Sequence, residues 1–368
     1  MKLNIGDFMF TKLILSSSLI AILAIGASAA QGIKYFSSDK DISSDIYNMI
    51  EKDISALGFI TTDPHKRIND AYKKKYGSTS LDTLNFFPIL NEDGLKTLLE
   101  KEPRLAGFSP FNLLMYKKQS EKETYVGHLM PDTILDILQI TDKDIRKEYN
   151  SLFPAIDKLI EKSVNGKISY IEYDKLPNNP MMHFEFQFSR DGDLDDFIDN
   201  FQEEFEAKFE EKDYLIAGFN NLKEGYEDTD DKFDTYDAFW TYSLCHLKFS
   251  YTIFDGQKSR ADSGVFAPCT MYMYIKKDSH QLVIGMPKLA NWQAVNNITD
   301  KTKVDFIKHL DEDIPKTLVD LGAKIIPSSK PTMTLEELKR RAVIIFREID
   351  KKVNELETMI KDLEKERK

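Results

Sequence analysis

The sequence lacks the short motifs by which many catalytic and nucleotide-binding proteins are identified. Its 368 residues contain no glycine-rich phosphate loop, no dinucleotide fingerprint, no serine nucleophile elbow and no paired-histidine zinc motif. The sequence therefore names no catalytic residue, and we expect a protein that is not an enzyme. It indicates no particular cofactor and leaves the question of a bound metal open.

The chain also has too little positive charge to hold a polyanion. Lysine and arginine number 50 against 61 aspartate and glutamate residues, so the net charge is −11. Nucleic-acid binding depends on neutralising phosphates with basic side chains, and we therefore expect no nucleic-acid partner. The hydrophobic content of 42% is ample for packed cores, and the length suggests two domains.

Long apolar runs are missing except near the start of the chain. Lys12 precedes a short apolar stretch at 19–25, which is followed by Ala27-Ser28-Ala29. A basic start, a short apolar core and a small-residue exit are typical of a secretory signal peptide cleaved near Ala29-Ala30. We therefore expect an exported bacterial protein, periplasmic or secreted, with no stable membrane span after cleavage. Met1 and Met9 are alternative starts.

Two segments of the remaining chain repeat each other. Residues 108–142 and 266–300 share, in the same order, a Phe, a Pro, alternating residues up to a Tyr, a charged turn, Met-Pro and Ile-Thr-Asp. Alternation before and after a polar turn predicts a β-hairpin, and apolar residues at helical spacing follow each hairpin. An amphipathic helix and a strand precede each hairpin. The sequence thus contains two diverged copies of one α/β unit.

These patterns predict an α+β fold of two tandem sandwich-like units, each a sheet with helices on one face. We assign residues 1–30 to the signal peptide, 31–165 to the first repeat, 166–325 to the second repeat and 332–368 to a charged C-terminal amphipathic helix. The apolar stripe of that helix is heptad-like with a stutter. It predicts a short coiled coil and, through it, homo-oligomerisation.

At the hairpins the sequence resembles domain-of-unknown-function family 302. Pro268-Cys269 followed by alternating residues to Tyr274 looks like the Pro-Cys strand of that family, and Pro110-Phe111 matches it with the cysteine replaced. Cys245 could occupy the place of an earlier family cysteine. The resemblance implies compact α+β units that tend to dimerise, so that two copies in one chain would form a built-in pseudo-dimer. It implies no settled activity.

The two cysteines, Cys245 and Cys269, both belong to the second repeat. In an exported protein an even number of cysteines favours a disulfide. Two buried thiols that never meet are an alternative, because free cysteine packs as a small hydrophobe. A third interpretation joins both cysteines with His246 in a metal, haem or redox site. Neighbouring residues on a strand point to opposite faces, which weakens that interpretation unless the strand ends there.

Aromatic residues near the cysteines make the second repeat the expected place of any binding site. Trp240 lies a few residues before Cys245, and Trp292 follows the second Met-Pro. Together with Cys245, His246 and Cys269 they form the candidate ligand-binding set. We predict a non-enzymatic binding or accessory protein; the alternative is a thiol-based redox or metal/haem enzyme that uses Cys245, His246 and Cys269.

Two histidines of the first repeat carry no ligand spacing. His65 follows Asp63-Pro64, a turn signal that predicts a surface position. His128 lies on the second strand of the first hairpin, where we expect it to face solvent.

Overall fold

A computed structural model describes residues 29–227 and 233–327 of the chain. Both predicted repeats lie largely within these ranges, in one compact unit that ends at Ile326. The predicted signal peptide and the predicted C-terminal helix lie outside the described residues. Among the helices that are described, none is both long enough and apolar enough to cross a bilayer.

Six antiparallel strands form the sheet of the first repeat, in the order β2-β3-β4-β5-β1-β6. Strand β6 follows the predicted boundary at residue 165 and pairs with β1, so this sheet continues to Tyr173. The strands are β1 (Ala30–Ser38), β2 (Phe59–Thr61), β3 (Leu81–Asn91), β4 (Phe111–Lys118), β5 (Thr124–Leu129) and β6 (Lys167–Tyr173).

The second repeat has a six-stranded antiparallel sheet of its own, in the order β12-β7-β11-β10-β9-β8. Its central hairpin pairs Tyr272 with Gly285, as the first hairpin pairs Leu114 with Gly127. The strands are β7 (Met181–Gln187), β8 (Tyr214–Asn221), β9 (Tyr236–His246), β10 (Cys269–Lys276), β11 (Gln281–Pro287) and β12 (Lys324–Ile325). The predicted α+β fold of two tandem units is confirmed.

Helices connect the strands in both repeats. Those of the first repeat are α1 (Ser43–Asn48), α2 (Ile68–Tyr76), α3 (Glu92–Lys101), α4 (Pro131–Ile137), α5 (Lys143–Asn150) and α6 (Phe153–Val164). Those of the second repeat are α7 (Leu194–Glu210), α8 (Leu222–Glu227), α9 (Leu247–Phe254), α10 (Ala290–Val295) and α11 (Lys301–Asp320). A π-helical turn (Met49–Asp53) and three 3₁₀ segments (Ile54–Leu57, Pro103–Phe108, Ala261–Phe266) complete them.

The phenylalanine stripe of α7 shows how the sequence determines this packing. Phe201, Phe205 and Phe209 recur every fourth residue and are buried, whereas the acidic residues between them are mostly exposed. Positions four apart lie on one face of a helix, so these rings form a continuous apolar ridge. Phe205 stacks on Tyr242 of β9, which fixes the helix against the sheet.

The two repeats pack on each other through equivalent parts. Each 3₁₀ segment that precedes a hairpin, Pro103–Phe108 or Ala261–Phe266, contacts the hairpin of the other repeat. Asn112 donates its side-chain N–H to the Gly264 carbonyl at 2.6 Å, and Tyr236 donates its hydroxyl to the Leu99 carbonyl at 2.8 Å. Both bonds cross the junction and satisfy buried polar groups there.

The expected exposure of His128 is wrong. Its side chain is buried, its Nε2 lies 2.7 Å from Asp157 Oδ1, and its Nδ1 lies 2.8 Å from the Leu129 carbonyl. Asp157 also accepts from Lys34 Nζ at 2.8 Å. Helix α6 covers this part of β5, and a buried imidazole requires such partners.

Candidate functional site

The two repeats together line a partly open cavity of about 320 Å³ at the end of strand β9. The second repeat supplies part of β8, the end of β9, helix α9, the start of β10 and a side chain of α10. The first repeat supplies side chains of α2 and β3 and of the loop before α2. Of the predicted binding residues, Cys245, His246, Cys269 and Trp292 all line this cavity, whereas Trp240 does not.

His246 reaches the cavity because strand β9 ends at this residue. Its ring caps helix α9: Nδ1 accepts the backbone N–H of Phe249 at 3.3 Å. Side chains that accept from the first turn stabilise a helix start, because those N–H groups have no partner within the helix. Burial lowers the pKa of His246, so the ring is neutral near pH 7.

The two cysteines are free thiols, so the predicted disulfide is wrong. The reason is the strand register. Cys269 of β10 pairs with Leu244 of β9, and Cys245 is the next residue along β9. Successive side chains of a strand point to opposite faces, so a one-residue offset separates the sulfur atoms although both residues border the same cavity.

Desolvation also favours the protonated form of both thiols. It raises the pKa of Cys245 to about 11. It raises the pKa of Cys269 further, with smaller contributions from Cys245 and Asp311. The thiolate is the nucleophilic form of cysteine, and at neutral pH both residues hold their protons. The two thiols therefore act here as small, polarisable, largely apolar groups.

Four of the lining residues have large aromatic rings: Phe86, Phe249, Phe254 and Trp292. Trp292 lies 5.3 Å from Phe249, 5.8 Å from Phe254 and 5.6 Å from Phe266, measured between ring centroids. The last two pairs are nearly parallel. Such packing holds the rings in fixed positions, so the wall is a preformed apolar surface.

The first repeat contributes residues that sequence reasoning did not assign to a site. His65 is half-buried rather than on the open surface, and its Nε2 lies 2.8 Å from the Ala217 carbonyl of β8. Phe86 of β3 lies 5.6 Å from Phe254, between ring centroids. Both residues line the cavity. No local pattern could reveal them, because the packing of one repeat on the other brings them there.

Trp240 lies elsewhere in the second repeat. It shares a face of β9 with His246 but is six residues away, a distance of roughly 20 Å at 3.4 Å per residue. It borders an open surface cavity under α7, together with Asp195 and Asp199. Its Nε1 has no hydrogen-bond partner among the described residues. The structure therefore places Trp240 outside the cavity that the other four predicted residues line.

The described part of the chain contains no group of three or more His, Cys, Asp or Glu side chains arranged to hold a metal ion. Cys245, His246 and Cys269 border one cavity without forming such a group.

The chain was also compared with known proteins. A solved structure described as the uncharacterised conserved protein DUF302 from Bacillus stearothermophilus is similar to it. The identity is 18%, the match covers 38% of this chain and 94% of that chain, and the TM-score is 0.28. This is the family that the hairpins resemble. A likeness of this degree says nothing about a ligand or an activity. No protein-family model matches the chain, and no curated protein does.

In the first repeat the equivalent strands end in the same register, but a different side chain occupies the position of Cys269. Phe111 pairs with Ile89 as Cys269 pairs with Leu244, so Phe111 is the counterpart of Cys269 and Asn91 that of His246. Asn91 also caps the following helix, accepting from Gly94 N at 2.7 Å. The Phe111 ring is buried among Phe59, Phe153 and His128, at centroid distances of 6.3, 4.9 and 5.9 Å. A large ring thus occupies the place that a thiol leaves open in the second repeat.

Proposed function

We propose that the protein is a non-enzymatic binding protein that takes a small, largely apolar molecule into the cavity between its repeats. The observation that carries this proposal is the cavity itself: about 320 Å³, lined mostly by aliphatic and aromatic side chains, with few polar groups. Binding sites for small molecules are typically preformed clefts of this kind. An apolar cavity of about 150 Å³ already accepts benzene, so a molecule with two fused rings fits the larger space.

The chemistry of the lining favours binding over thiol or metal catalysis. A catalytic cysteine needs a lowered pKa, and both thiols here have raised ones. A metal site needs three or four converging ligands, and the described residues offer no such group. The thiol-based enzyme considered as an alternative therefore has less support than a binding protein.

Export remains part of the proposal. It rests on the predicted signal peptide and its Ala27-Ser28-Ala29 exit. Cleavage near Ala29-Ala30 would leave strand β1 almost whole, because its buried residues begin at Gly32 and Ile33. Amino-terminal sequencing of the protein from its native host tests this: a start near Ala30 or Gln31 is expected, and an intact Met1 or Met9 would contradict it.

The binding proposal can be tested with naphthalene as the probe. The chain has two tryptophans, of which Trp292 lines the cavity and Trp240 does not. In a ¹⁵N-labelled protein, naphthalene should shift the indole N–H resonance of Trp292 and leave that of Trp240 in place. Trp240→Phe assigns the two resonances. Equal shifts of both, or of Trp240 alone, would contradict the proposal.

A pair of substitutions at one position provides the control. Cys269→Phe places in the cavity the residue that its counterpart Phe111 already has, and should weaken naphthalene binding at least tenfold by calorimetry. Cys269→Ala removes only the sulfur and should leave binding within about threefold, since it enlarges the cavity by little. Circular dichroism and melting confirm that each variant is folded. Unchanged binding by a folded Cys269→Phe variant would place the ligand elsewhere.

A further inference from the structure

The exposed part of the cavity lining lies where the two repeats face each other. Most of the residues that line the cavity are buried or half-buried, and only Ala71 of α2 and Leu215 of β8 are exposed. One of them comes from each repeat. The lining residues that solvent reaches most easily therefore mark an opening between α2 of the first repeat and β8 of the second.

A hydrogen bond between the repeats joins the two sides of this opening. His65 Nε2 lies 2.8 Å from the Ala217 carbonyl of β8. A carbonyl oxygen can only accept, so His65 donates. Beside this bond Asp63 lies against Gly218, where a Cβ atom would come within 2.7 Å of Asp63 Oδ2. The loop before α2 thus touches two successive residues of β8.

The loop that carries His65 is fixed to its own repeat. The backbone of His65 exchanges two hydrogen bonds with Phe86 of β3, each 2.9 Å long. Three residues earlier, Thr62 N donates to the Pro88 carbonyl of the same strand, also at 2.9 Å. These backbone bonds leave the first-repeat side of the opening little freedom to move.

Strand β8 is held less firmly on the other side of the opening. It is an edge strand of its sheet, with β9 as its neighbour. The pairing with β9 shifts between Ile216 and Gly218, so Ala217 is the extra residue of a β-bulge. The extra residue of a bulge is left unpaired, and the ladder around it is locally disrupted. The bond from His65 therefore holds β8 at the point where its own sheet holds it least.

We infer that residues 215–218 of β8 form a gate through which a ligand enters the cavity, and that the His65–Ala217 hydrogen bond keeps this gate narrow. When the bond breaks, the bulged segment moves away from α2 and uncovers the apolar space behind Leu215. The bond is intact in both the free and the bound protein, so it affects the rates of binding rather than the affinity. This inference rests on the proposed binding function and adds to it a path of entry and its control.

Substitutions at His65 test the gate, with naphthalene as the ligand and the indole N–H resonance of Trp292 as the probe. His65→Leu keeps an apolar side chain and removes the donor. Exchange measurements should show the association and dissociation rates both raised about fivefold, the effect of one net hydrogen bond. The dissociation constant should stay within about threefold. His65→Gln keeps an N–H donor and should return both rates to within about twofold of the unaltered protein.

A matched pair of alanine substitutions tests where the opening lies. Ala71→Leu adds bulk at an exposed helical position beside the opening, where leucine is a good helix former, and should lower both rates severalfold. Ala207→Leu makes the same change at an exposed position of α7 and should alter neither rate. Equal effects of the two variants would contradict entry between α2 and β8.

Amide hydrogen exchange of the ligand-free protein provides a readout that does not depend on binding. In His65→Leu the amides of residues 215–218 should exchange about fivefold faster, whereas those of β6, an edge strand of the other sheet, should not change. If naphthalene binds but His65→Leu leaves both rates unchanged, or raises only the dissociation rate, the gate is overturned and the binding function stands. If naphthalene does not bind, the proposed function fails, and the exchange of β8 alone then decides whether the His65 bond restrains this segment.

Discussion

The two repeats share one backbone plan and differ in what fills the end of the central hairpin. In the first repeat Phe111 occupies this space, and it is packed by rings on three sides. In the second repeat Cys269 stands at the same position, and a cavity of about 320 Å³ remains open beside it. The equivalent strands therefore pair in the same register in both repeats. The first repeat has a packed core at this position, and the second has a candidate site. The volume of a few side chains accounts for the difference.

The largest effect should come from emptying the filled position. Phe111→Ala removes a buried ring and leaves a void that its neighbours cannot close, which should lower the free energy of unfolding by about 3–5 kcal/mol. Cys269→Ala, the matched change in the second repeat, should cost about 1 kcal/mol or less, because its sulfur already faces open space. Urea unfolding of both variants measures the contrast. Equal losses would show that the second position is packed as tightly as the first.

The two repeats also differ in how a buried carboxyl group makes stability depend on pH. Asp311 of α11 accepts the backbone N–H groups of Leu289 and Ala290 at 2.7 and 2.9 Å, and burial raises its pKa to about 6. A carboxyl group with a raised pKa binds its proton more tightly in the folded chain. Its contribution to stability is therefore present below pH 4 and lost as the pH rises through about 6.

Asp311→Asn removes this titration. Relative to the variant, the unaltered protein should lose on the order of 2 kcal/mol of stability between pH 4 and pH 7. Denaturant midpoints measured at half-unit pH steps would show it. A constant difference between the two proteins across that range would mean that Asp311 does not titrate there.

The first repeat should respond in the opposite sense. Burial pushes the pKa of Asp157 upward, but the hydrogen bonds from His128 and Lys34 outweigh burial, and its net pKa lies below the ordinary value. The stability that this carboxylate contributes is present above pH 4 and is lost as the pH falls through its lowered pKa. The stability gap between the unaltered protein and Asp157→Asn should therefore shrink below pH 4. A gap that widens in acid would reverse the assignment.

The smallest contrast concerns the two helix caps. Asn91→Ala and His246→Ala each remove a side-chain acceptor from a helix start, and each should cost about 1 kcal/mol. Asn91→Ala should lower the stability more than His246→Ala. The hydrogen bond from Gly94 N to Asn91 is 2.7 Å long, whereas that from Phe249 N to His246 is 3.3 Å long. Thermal melts of the two variants side by side would rank them. A larger loss for His246→Ala would mean that the ring contributes more than its cap.

Local patterns in the sequence predicted the hairpins and the helices that flank them. The charged turns, the alternation before Tyr116 and Tyr274, and the phenylalanine stripe of α7 are properties of short segments. Interruptions within a helical pattern were harder to predict. The apolar spacing after the first hairpin predicted one helix, but the chain forms α5 and α6, and Pro154 lies in the first turn of α6, where no backbone N–H partner is needed.

Parts of the candidate site that depend on contacts between repeats were not predictable. Cys245, His246, Cys269 and Trp292 are clustered in sequence and chemistry, and the sequence grouped them. His65 and Phe86 reach the same cavity only because the first repeat packs there. Trp240 illustrates the opposite case: it is near Cys245 in sequence, but the extended strand places it away from the cavity. The register of β9 against β10 keeps Cys245 and Cys269 from forming a disulfide. Sequence alone did not specify that register.

The junction between the repeats also affects how the two sides can mutate and how the cavity depends on protein concentration. When two identical subunits associate, every substitution appears on both sides of the interface, so neither side can change alone. Here the two sides are encoded separately, and a phenylalanine could persist on one side while a cysteine arose on the other. The partner is also always present at high effective concentration, because it belongs to the same polypeptide. A pocket made from both sides therefore survives at any protein concentration.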